Sequence, residues 1–420
     1  MNSDSSSPLN PGSPVSTTSS ISFDGLGIAP KILETLDRLK FVTPTPIQQK
    51  AILPGIEGKD LVGIAQTGTG KTLAFVIPMV QTLLAKKGKG LVLVPTRELA
   101  SQVDETFQKI ARPFGMHSAV VIGGASMSEQ IKAIRRHPAV IIATPGRLND
   151  HLEQRTVTLN DVRVAVLDEA DRMMDMGFMP QIRRILQVLP VDRQTLLFSA
   201  TMPAEIAKMA TSYMKLPLSI EIAPSGTLAE KLTQELFIVK RESKNPLLKK
   251  ILERYHGSVL VFIRTKASAW KVNRDIRQMG FTVAEIHSDR SLAQRREALA
   301  GFKTGKYRVL VATDIAARGI DVTGIELVVN YDLPEDAENY VHRIGRTGRA
   351  GHKGHAISFA TPDQSTDVRS IERLIRTTLP VSEHPDIPSE KLFSPNRMSF
   401  SPRGARRGRG GRAPRRPFRR

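Results

Sequence analysis

Short apolar runs alternate with longer amphipathic stretches along most of this chain, and that alternation constrains the fold more than any other feature. One series of runs lies at 61–65, 90–95, 119–124, 139–145, 162–168 and 194–200, and a second lies at 258–265, 282–288, 307–314, 326–332 and 354–360. Strands separated by helical stretches of about 10 or more residues form parallel sheets with helices on both faces. The sequence therefore predicts two α/β units in tandem.

The segments around these two series define the predicted domain boundaries. Pro, Ser, Gly and Thr cluster without periodicity in IAPSGTLAE at 222–230, which is typical of a linker. The first 20 residues contain eight Ser and three Pro, which predicts a disordered tail. We expect a tail at 1–20, a first domain at 21–222, a linker at 223–231, a second domain at 232–380, and an extension at 381–420 that ends in a disordered, basic Arg- and Gly-rich tail.

Composition excludes several classes of protein. The chain has 420 residues and no cysteine, which excludes disulfide scaffolds and Cys-ligated metal sites. No apolar run reaches the length of about 18 residues that a transmembrane helix requires. The first basic residue is Lys31, so the start has neither a secretory nor a transit-peptide pattern. We therefore expect a cytoplasmic protein without membrane contact.

The formal net charge of +20 is compatible with a polyanionic partner. Residues 401–420 hold nine Arg and no acidic residue, yet the rest of the chain still carries +11. A basic surface within the folded part could therefore meet nucleic acid. Excess Lys and Arg can also serve solubility alone, and the charge by itself does not decide between these two interpretations.

The sharpest local motif is AQTGTGKT at 65–72, which follows an apolar strand and precedes the helical pattern LAFVIPMVQTLLA. Gly68 and Gly70 let backbone N–H groups face a phosphate chain. Lys71 supplies a charge to the β and γ phosphates, and the Thr72 hydroxyl is a ligand for Mg²⁺. Ala65 stands where the general pattern has Gly. The strand-loop-helix context favours a nucleotide-binding loop over a chance GKT string in a turn.

A second motif supplies the carboxylates that such a loop needs. Asp168, Glu169, Ala170 and Asp171 end the strand pattern VAVL, at the edge where an open parallel sheet presents its chemistry. Asp168 is expected to bind Mg²⁺, and Glu169 is expected to orient or deprotonate the attacking water. In isolation this string could be the acidic start of a helix. Its place on a strand of its own, after the glycine-rich loop, favours the catalytic interpretation.

Eight further strings accompany these two motifs in a consistent order and spacing. They are PTPIQ (44–48), PTREL (95–99), GG (123–124), TPGR (144–147), SAT (199–201), VFIRTK (261–266), ATDIAARGID (312–321) and HRIGRTGR (342–349). From about Phe23 to about Thr361 the chain resembles the DEAD-box ATP-dependent RNA helicases, and its tail and short core resemble their bacterial RhlE-type members. The resemblance implies two tandem RecA-like domains and an RNA-stimulated ATPase.

The resemblance also implies a role for each residue of an ATP site. Phe41 would stack on adenine and Gln48 would read its edge, although alone they could be a core aromatic and a helix N-terminal residue. The implied ATP-binding set, with Asp321 on the ribose, is Phe41, Gln48, Ala65, Gln66, Thr67, Gly68, Thr69, Gly70, Lys71, Thr72 and Asp321. Thr72 and Asp168 would hold Mg²⁺.

The implied catalytic set spans both domains. It comprises Lys71, Asp168, Glu169, Ser199, Thr201, His342, Arg346 and Arg349. Ser199 and Thr201 would link the DEAD segment to the closed state, and His342 would couple the domains rather than bind metal. Planar, permanently charged guanidinium groups at Arg346 and Arg349 suit a γ-phosphate. These groups share one helix face with His342 only if the helix continues through the glycines at 345 and 348.

RNA contacts are implied for residues of both domains. They are Pro95, Thr96, Arg97, Gly124, Thr144, Gly146, Arg147, Arg264, Arg295, Thr313 and Gly319. Small residues and hydroxyls at loop starts let the backbone approach phosphates and 2′-OH groups without reading bases, so we expect sequence-independent binding. Leu292 and Ser288 depart from the family pattern, which is Gln and Gly at these places, and they make the role of Arg295 less secure.

The resemblance implies that ATP and RNA both favour closure of the two domains, and that closure separates strands locally rather than processively. The expected partner is RNA, with ribosomal precursors or RNA-decay proteins as further partners of a monomeric enzyme. An ATP-gated RNA clamp or assembly factor is the alternative. A P-loop kinase or a DNA translocase is disfavoured by PTPIQ, DEAD and HRIGRTGR.

Overall fold

The computed structural model describes residues 22–66, 68–222, 232–317, 325–348 and 354–393. The predicted tail at 1–20, the predicted linker and the basic tail at 401–420 lie outside these residues. Within them, no helix is both long enough and apolar enough to cross a membrane.

The first domain is built on a sheet of seven parallel strands. They are β1 (Leu61–Ile64), β2 (Lys89–Leu93), β3 (Ser118–Val121), β4 (Val140–Ala143), β5 (Val162–Asp168), β6 (Gln194–Ser199) and β7 (Leu218–Glu221). Their order across the sheet is β3-β4-β2-β5-β6-β1-β7. Its nine α-helices are α1 (Pro30–Arg38), α2 (Pro46–Ile56), α3 (Lys71–Ala85), α4 (Arg97–Ala111), α5 (Met127–Arg135), α6 (Pro145–Glu153), α7 (Ala170–Asp175), α8 (Met179–Val188) and α9 (Ala204–Tyr213), counted over the described part of the chain.

The second domain is built on a sheet of six parallel strands. They are β8 (Leu232–Ile238), β9 (Val259–Ile263), β10 (Val283–Ile286), β11 (Val309–Thr313), β12 (Leu327–Asn330) and β13 (Gly354–Ala360), in the order β10-β11-β9-β12-β13-β8. Its helices are α10 (Lys244–Arg254), α11 (Lys266–Gln278), α12 (Leu292–Lys303), α13 (Asp314–Ala317), α14 (Ala337–Ile344) and α15 (Ser365–Ile375). The predicted pair of parallel sheets is thereby confirmed.

Both faces of each sheet are covered by helices, because the strands are apolar on both sides. Along β2, Leu91 and Leu93 face one core and Val92 faces the other. In the second sheet, Val261 packs on the side of α10 and α11, whereas Leu260 packs on the side of α12, α14 and α15. Near-continuous apolar runs are what a parallel sheet buried on both faces requires.

The two sheets share one strand order. When β8 to β13 are matched in chain order to β1 to β6, the strand order β10-β11-β9-β12-β13-β8 of the second sheet is the same as the order β3-β4-β2-β5-β6-β1 of the first. The first sheet has β7 as one additional strand. The two domains are therefore copies of one architecture, although no sequence repeat can be read between them. This correspondence locates the equivalent edges of the two sheets.

The chain continues as a structured segment beyond α15, where the sequence predicts only an aperiodic extension after residue 380. Residues 380–393 run along β8, the outer strand of the second sheet. Leu236 N donates to Pro380 O at 2.8 Å, Ser382 N donates to Leu236 O at 2.9 Å, and Glu390 N donates to Ile238 O at 2.8 Å. These hydrogen bonds cover an edge whose backbone groups would otherwise be open to pairing.

Candidate functional site

Apart from Phe41, Gln48 and Arg295, the predicted site residues that the structure describes follow the carboxyl ends of the strands and divide by position across each sheet. In the first domain, the segments predicted to bind ATP follow β1, β5 and β6, whereas those predicted to contact RNA follow β2, β3 and β4. Because β3, β4 and β2 are neighbours in the sheet, as are β5, β6 and β1, the two sets occupy separate halves of one edge. In the second domain, the RNA set follows β9 and β11, and the His342 segment follows β12.

The glycine-rich loop joins β1 to α3. Gly68 has φ 86° and Gly70 has φ 89°, in the left-handed region that favours glycine. A Cβ on Gly70 would lie 2.9 Å from Thr45 Oγ1 and closer still to Gln48 Nε2. Lys71 begins α3 and is buried, with its Nζ donating to Ala65 O at 2.9 Å across the loop. The loop thus has the tight backbone and central ammonium group that fit a phosphate chain.

The predicted adenine contacts stand beside this loop. Gln48 lies in the first turn of α2, where its Oε1 accepts from Thr45 N at 2.9 Å and its Nε2 donates to Gly70 O at 3.0 Å. The amide therefore ties α2 to the loop and also caps the helix. Phe41 is 37% exposed, so it is not part of the buried core and is accessible from outside.

The DEAD segment forms the end of β5 and the start of α7. Glu169 has φ 55° and ψ 50°, a backbone conformation that is strained for a residue with a side chain. Its Oε2 accepts from Arg172 Nη1 at 2.5 Å, and both side chains are buried. Arg172 therefore fixes the carboxylate of Glu169 in place. Asp168 Oδ1 accepts from the N–H of Glu169 at 3.0 Å.

The two carboxyl groups differ in proton affinity. Burial raises the pKa of Asp168 to about 7, although the charge of Lys71 opposes that effect. Burial acts in the same direction on Glu169, but the charges of Arg172, Lys71 and Arg346 outweigh it and hold the pKa of Glu169 below its usual value. Glu169 is thus a carboxylate at neutral pH. The Asp168 carboxylate and the Thr72 hydroxyl carry hard oxygen atoms of the kind that Mg²⁺ prefers.

The segment Ser199 to Thr201 binds the last carboxylate of the motif. Asp171 Oδ2 accepts from Ala200 N at 3.0 Å, from Thr201 N at 3.0 Å and from Thr201 Oγ1 at 3.2 Å. Ser199 Oγ accepts from Asp171 N at 3.1 Å. These bonds join the ends of β5 and β6 into one rigid unit beside the glycine-rich loop.

Charged groups of the second domain reach this unit. His342 lies in α14 and is surrounded by Arg172, Asp171, Arg346 and Glu169; its burial, followed by the charge of Arg172, lowers the pKa of His342 to about 4. The helix ends at Ile344, so His342 and the buried Arg346 do not share a continuous helix face. Instead Arg346 Nε donates back to His342 O at 3.2 Å. Thr67, Asp321 and Arg349 lie outside the described residues.

The RNA-contact set of the first domain forms a row of loop starts. Thr96 caps α4 by accepting from Leu99 N at 3.2 Å, and Pro95 and Thr96 are buried. Gly124 has φ 74°, and the guanidinium of Arg97 lies so close to it that a Cβ would clash. Thr144 precedes α6, and Arg147 Nη1 donates to Ala125 O at 3.0 Å, while the space beside Gly146 is open.

In the second domain, two predicted RNA residues lie at strand ends. Arg264 follows β9, with its Nη2 donating to Leu333 O at 3.2 Å, and Thr313 ends β11 half-buried. Gly319 lies outside the described residues. Ser288 is exposed after β10.

The structure differs from the sequence prediction at Arg295. Its side chain is only 8% exposed, and its Nη2 is 2.8 Å from Oε2 of Glu98, whose side chain is 4% exposed. Burial lowers the pKa of Arg295 and raises that of Glu98, and each charge partly offsets the effect on the other. Arg295 is in α12 and Glu98 in α4, so this buried ion pair joins the two domains rather than facing an open RNA surface.

The second domain has no copy of the glycine-rich loop at the equivalent place in the part of the chain that the structure describes. The segment between β8 and α10 contains no glycine and forms a 3₁₀ turn at Arg241–Ser243. Lys244 begins α10 as Lys71 begins α3, but its Nζ is 3.0 Å from Asp332 Oδ1 after β12. The ammonium of Lys244 is thus paired with a carboxylate, whereas that of Lys71 donates to a backbone carbonyl of its own loop.

Comparisons with known proteins agree with this geometry. A family model described as DEAD/DEAH box helicase matches residues 45–209, and one described as helicase conserved C-terminal domain matches residues 243–351. The chain is 40% identical over 368 residues to ATP-dependent rRNA helicase RRP3 of Debaryomyces hansenii, covering 87% of this chain and 77% of that protein. The chain belongs to the DEAD-box RNA helicase family. It is also 42% identical over 353 residues to ATP-dependent RNA helicase CshA of Listeria monocytogenes, covering 83% and 68%.

Solved helicase structures also match the arrangement of the two domains. S. cerevisiae Dbp5 bound to RNA and ADP BeF3 is 30% identical with a TM-score of 0.77, covering 86% of this chain and 95% of that chain. Mss116p bound to ssRNA and AMP-PNP is 27% identical with a TM-score of 0.79, covering 88% and 81%. A DEAD box protein of Methanococcus jannaschii is 36% identical but has a TM-score of 0.51, covering 86% and 99%. The domains of this helicase are thus arranged as in the RNA-bound structures, which we call the closed arrangement.

Sequence reasoning missed two residues of this helicase site. Arg172 follows Glu169 by three residues, the spacing at which side chains on a helix meet, and that spacing was the available signal. Glu98 lies within PTREL, but no local pattern pairs it with Arg295, which lies in the other domain.

Proposed function

We propose that this ATP-dependent RNA helicase separates RNA strands locally and non-processively, or remodels RNA–protein complexes, by closing and reopening its two domains. The observation that supports the proposal is that His342 and Arg346 of the second domain lie beside the DEAD segment of the first. Arg346 of the second domain lowers the pKa of Glu169 in the first, and Arg295 pairs with Glu98 at the same interface. ATP and RNA that both prefer this arrangement tighten each other's binding by linkage.

The glycine-rich loop is proposed to hold the phosphates of ATP. Backbone N–H groups around Gly68 and Gly70 surround them, and Lys71 supplies the positive charge. Phe41 stacks on the adenine and Gln48 reads its edge, while Asp321 binds the ribose. Asp168 and Thr72 would hold Mg²⁺, which would supply a Lewis acid for the phosphate oxygens.

Glu169 is proposed to orient the attacking water. Its low pKa and its ion pair with Arg172 make it a fixed acceptor rather than a strong base. Arg346, together with Arg349, stabilises negative charge on the transferred phosphoryl group, a contribution of about 10³ to 10⁵ in rate in other phosphoryl-transfer enzymes. The hydrogen bonds from Thr201 to Asp171 couple a movement of the DEAD segment to the segment at the end of β6.

RNA is proposed to lie across the β2, β3 and β4 half of the first sheet and the β9 and β11 half of the second. These edges present loop starts, glycines and threonines, which contact phosphates and 2′-OH groups without reading bases. Because closure brings the two sheet edges together, the bound RNA strand must bend to follow both of them. The paired strand is displaced over a few base pairs, and reopening after hydrolysis releases the RNA.

An ATP-gated RNA clamp with slow turnover is the second candidate. The 2.5 Å contact between Arg172 and Glu169 favours it, because an ion-paired carboxylate is a weak proton acceptor.

We further propose that the helicase is a cytoplasmic monomer. Relatives named ATP-dependent rRNA helicase support ribosomal precursors as its RNA partners, and RNA-decay proteins remain the alternative.

The test replaces Glu169 by Gln in the full chain. Glu169→Gln should retain binding of ATP and RNA but lose ATP hydrolysis, because the amide keeps the shape and loses the charge. The matched control is Glu153→Gln, a carboxylate in α6 that is 69% exposed. Near-normal hydrolysis by Glu169→Gln would remove Glu169 from its role.

The yield of strand separation as a function of duplex length distinguishes local from processive unwinding. A non-processive helicase should separate a short RNA duplex well and lose yield steeply as the duplex is lengthened. Undiminished yield on long duplexes contradicts local strand separation. ATP-dependent RNA retention without any strand separation would instead support the clamp.

A further inference from the structure

The chain contains one tryptophan, and it lies on the surface of the second domain. Trp270 is in the second turn of α11, and its side chain is 56% exposed. The buried face of α11 is formed by Ala269, Val272 and Ile276, which pack on the sheet without Trp270. Tryptophan is among the most buried residue types on average, so packing does not account for its place here.

The side chains around Trp270 are cationic. Lys266, Trp270 and Arg274 follow one another at intervals of four residues, and Arg277 lies one turn beyond, so all four share the outer face of α11. The guanidinium of Arg274 lies 5.1 Å from the centre of the indole ring. Two of these cations have carboxylate partners: Lys266 Nζ lies 2.9 Å from Asp289 Oδ2, and Arg274 Nη2 lies 3.6 Å from Oδ1 of Asp275, whose Oδ2 accepts from Asn245 Nδ2 at 2.7 Å. We call Lys266, Trp270, Arg274 and Arg277 the tryptophan face.

The tryptophan face continues the edge that carries the proposed RNA contacts. Arg264 ends the turn after β9, and Thr265 caps α11 by accepting from Ser268 N at 3.1 Å. Trp270 lies four residues beyond Lys266, about 6 Å along the helix axis. An RNA strand that continues past Arg264 along the start of α11 would therefore meet the indole in the second turn of that helix.

We propose that the tryptophan face binds single-stranded RNA that extends beyond the core contacts. One base stacks on the indole ring or on the Arg274 guanidinium that covers it, and Lys266 and Arg277 contact the flanking phosphates. Charge complementarity and continuity with the β9 edge identify RNA as the occupant. Every base has a stacking face, so this contact lengthens the binding site without adding sequence preference. The inference rests on the proposed RNA binding by the helicase core.

The single tryptophan makes the inference directly measurable. The full chain, with a non-hydrolysable ATP analogue, is titrated with single-stranded RNAs of about 10 and about 20 nucleotides, lengths that bracket a core site and a core site with flanks. Indole fluorescence is excited at the red edge of its band, so that the five tyrosines do not contribute. We expect strong quenching by the longer RNA and little by the shorter one. Equal, small responses to both overturn the inference.

Affinity provides the second readout. Trp270→Leu should weaken binding of the longer RNA about 5- to 10-fold, the effect of losing one stacked base, and should leave the shorter RNA unaffected. Lys266→Ala with Arg277→Ala should also flatten the slope of log affinity against log salt concentration, by about 0.7 for each lost phosphate contact. The matched control is Arg373→Ala, an exposed cation on α15, which packs against the opposite face of the same sheet.

The outcomes separate this inference from the proposed function. RNA-stimulated ATP hydrolysis with unchanged affinity of Trp270→Leu for the longer RNA overturns the tryptophan face and leaves the helicase core intact. Loss of RNA stimulation in the unmodified chain overturns both. An equal loss of affinity for the longer RNA in Arg373→Ala would also overturn the inference, because any lost surface cation would then weaken RNA binding to the same extent.

Discussion

The buried ion pair between the domains should control how strongly ATP promotes RNA binding. Glu98 and Arg295 are both more than nine-tenths buried, and they lie on helices of different domains. When one partner of such a pair is removed, the uncompensated charge costs about 3–5 kcal/mol. In the proposed cycle that cost falls on the closed arrangement alone, because opening would separate the two helices and expose both groups to water.

Arg295→Met tests this reasoning with a side chain of similar length and no charge. The lower end of that cost corresponds to about a hundredfold weaker RNA binding in the presence of an ATP analogue. In the proposed cycle the domains are open without nucleotide, so RNA affinity and thermal unfolding should then change little. RNA affinity is measured with and without the analogue at fixed salt, and Arg296→Met, the exposed next residue of the helix, is the control.

A double-mutant cycle separates the ion pair from an RNA contact. Glu98→Gln should weaken RNA binding as Arg295→Met does, and the combined variant should lose less than the sum of both. If Arg295 contacts RNA instead, Arg295→Met will weaken RNA binding with or without nucleotide, and Glu98→Gln will not. The slope of log affinity against log salt concentration will then fall by about 0.7 in Arg295→Met. That result would refute the interdomain role.

Three further outcomes are expected. The pKa of His342 is about 4 in the closed arrangement, against about 6.5 for an exposed histidine, so closure becomes less favourable as the pH falls below about 6.5. RNA affinity in the presence of an ATP analogue should therefore fall up to about thirtyfold by about pH 5. The fall should be smaller in His342→Gln, which has no group to protonate at this position. Gly70→Ala should raise the KM for ATP strongly, because a Cβ there meets Gln48 at a left-handed φ, and an unchanged KM would contradict the proposed loop geometry. Deleting 401–420 should weaken RNA binding and flatten its salt dependence; an unchanged slope would assign the nine arginines to solubility.

In the described part of the chain, the sequence predicted every interior strand but only two of the four outer ones, β3 and β10. All eleven apolar runs are strands, because strands buried on both faces must be apolar throughout. The outer strands β7 and β8 were missed. In β7 one of four residues is buried, and LTQELFI of β8 mixes polar and apolar residues, so neither shows the continuous apolar pattern. Residues 380–393 were missed for the same reason, since backbone hydrogen bonds to an edge strand leave little trace in composition.

Within the site, residues on one short segment were predictable and long-range pairs were not. The glycine-rich loop and Asp168 lie on local strings whose chemistry can be read directly. The resemblance added His342 and Arg346, which the structure brings beside Glu169. The pairing of Arg295 with Glu98 depends on how the two domains meet, and no local pattern encodes that contact.

Steady-state ATP hydrolysis by the full chain tests the central claim most directly. The rate is measured without nucleic acid, with single-stranded RNA, and with DNA of matched sequence at one fixed salt concentration. Strong stimulation by RNA alone is the predicted result, because the core contacts are proposed to include 2′-OH groups. Equal stimulation by DNA, or no stimulation by either, would contradict the coupling of ATP hydrolysis to RNA.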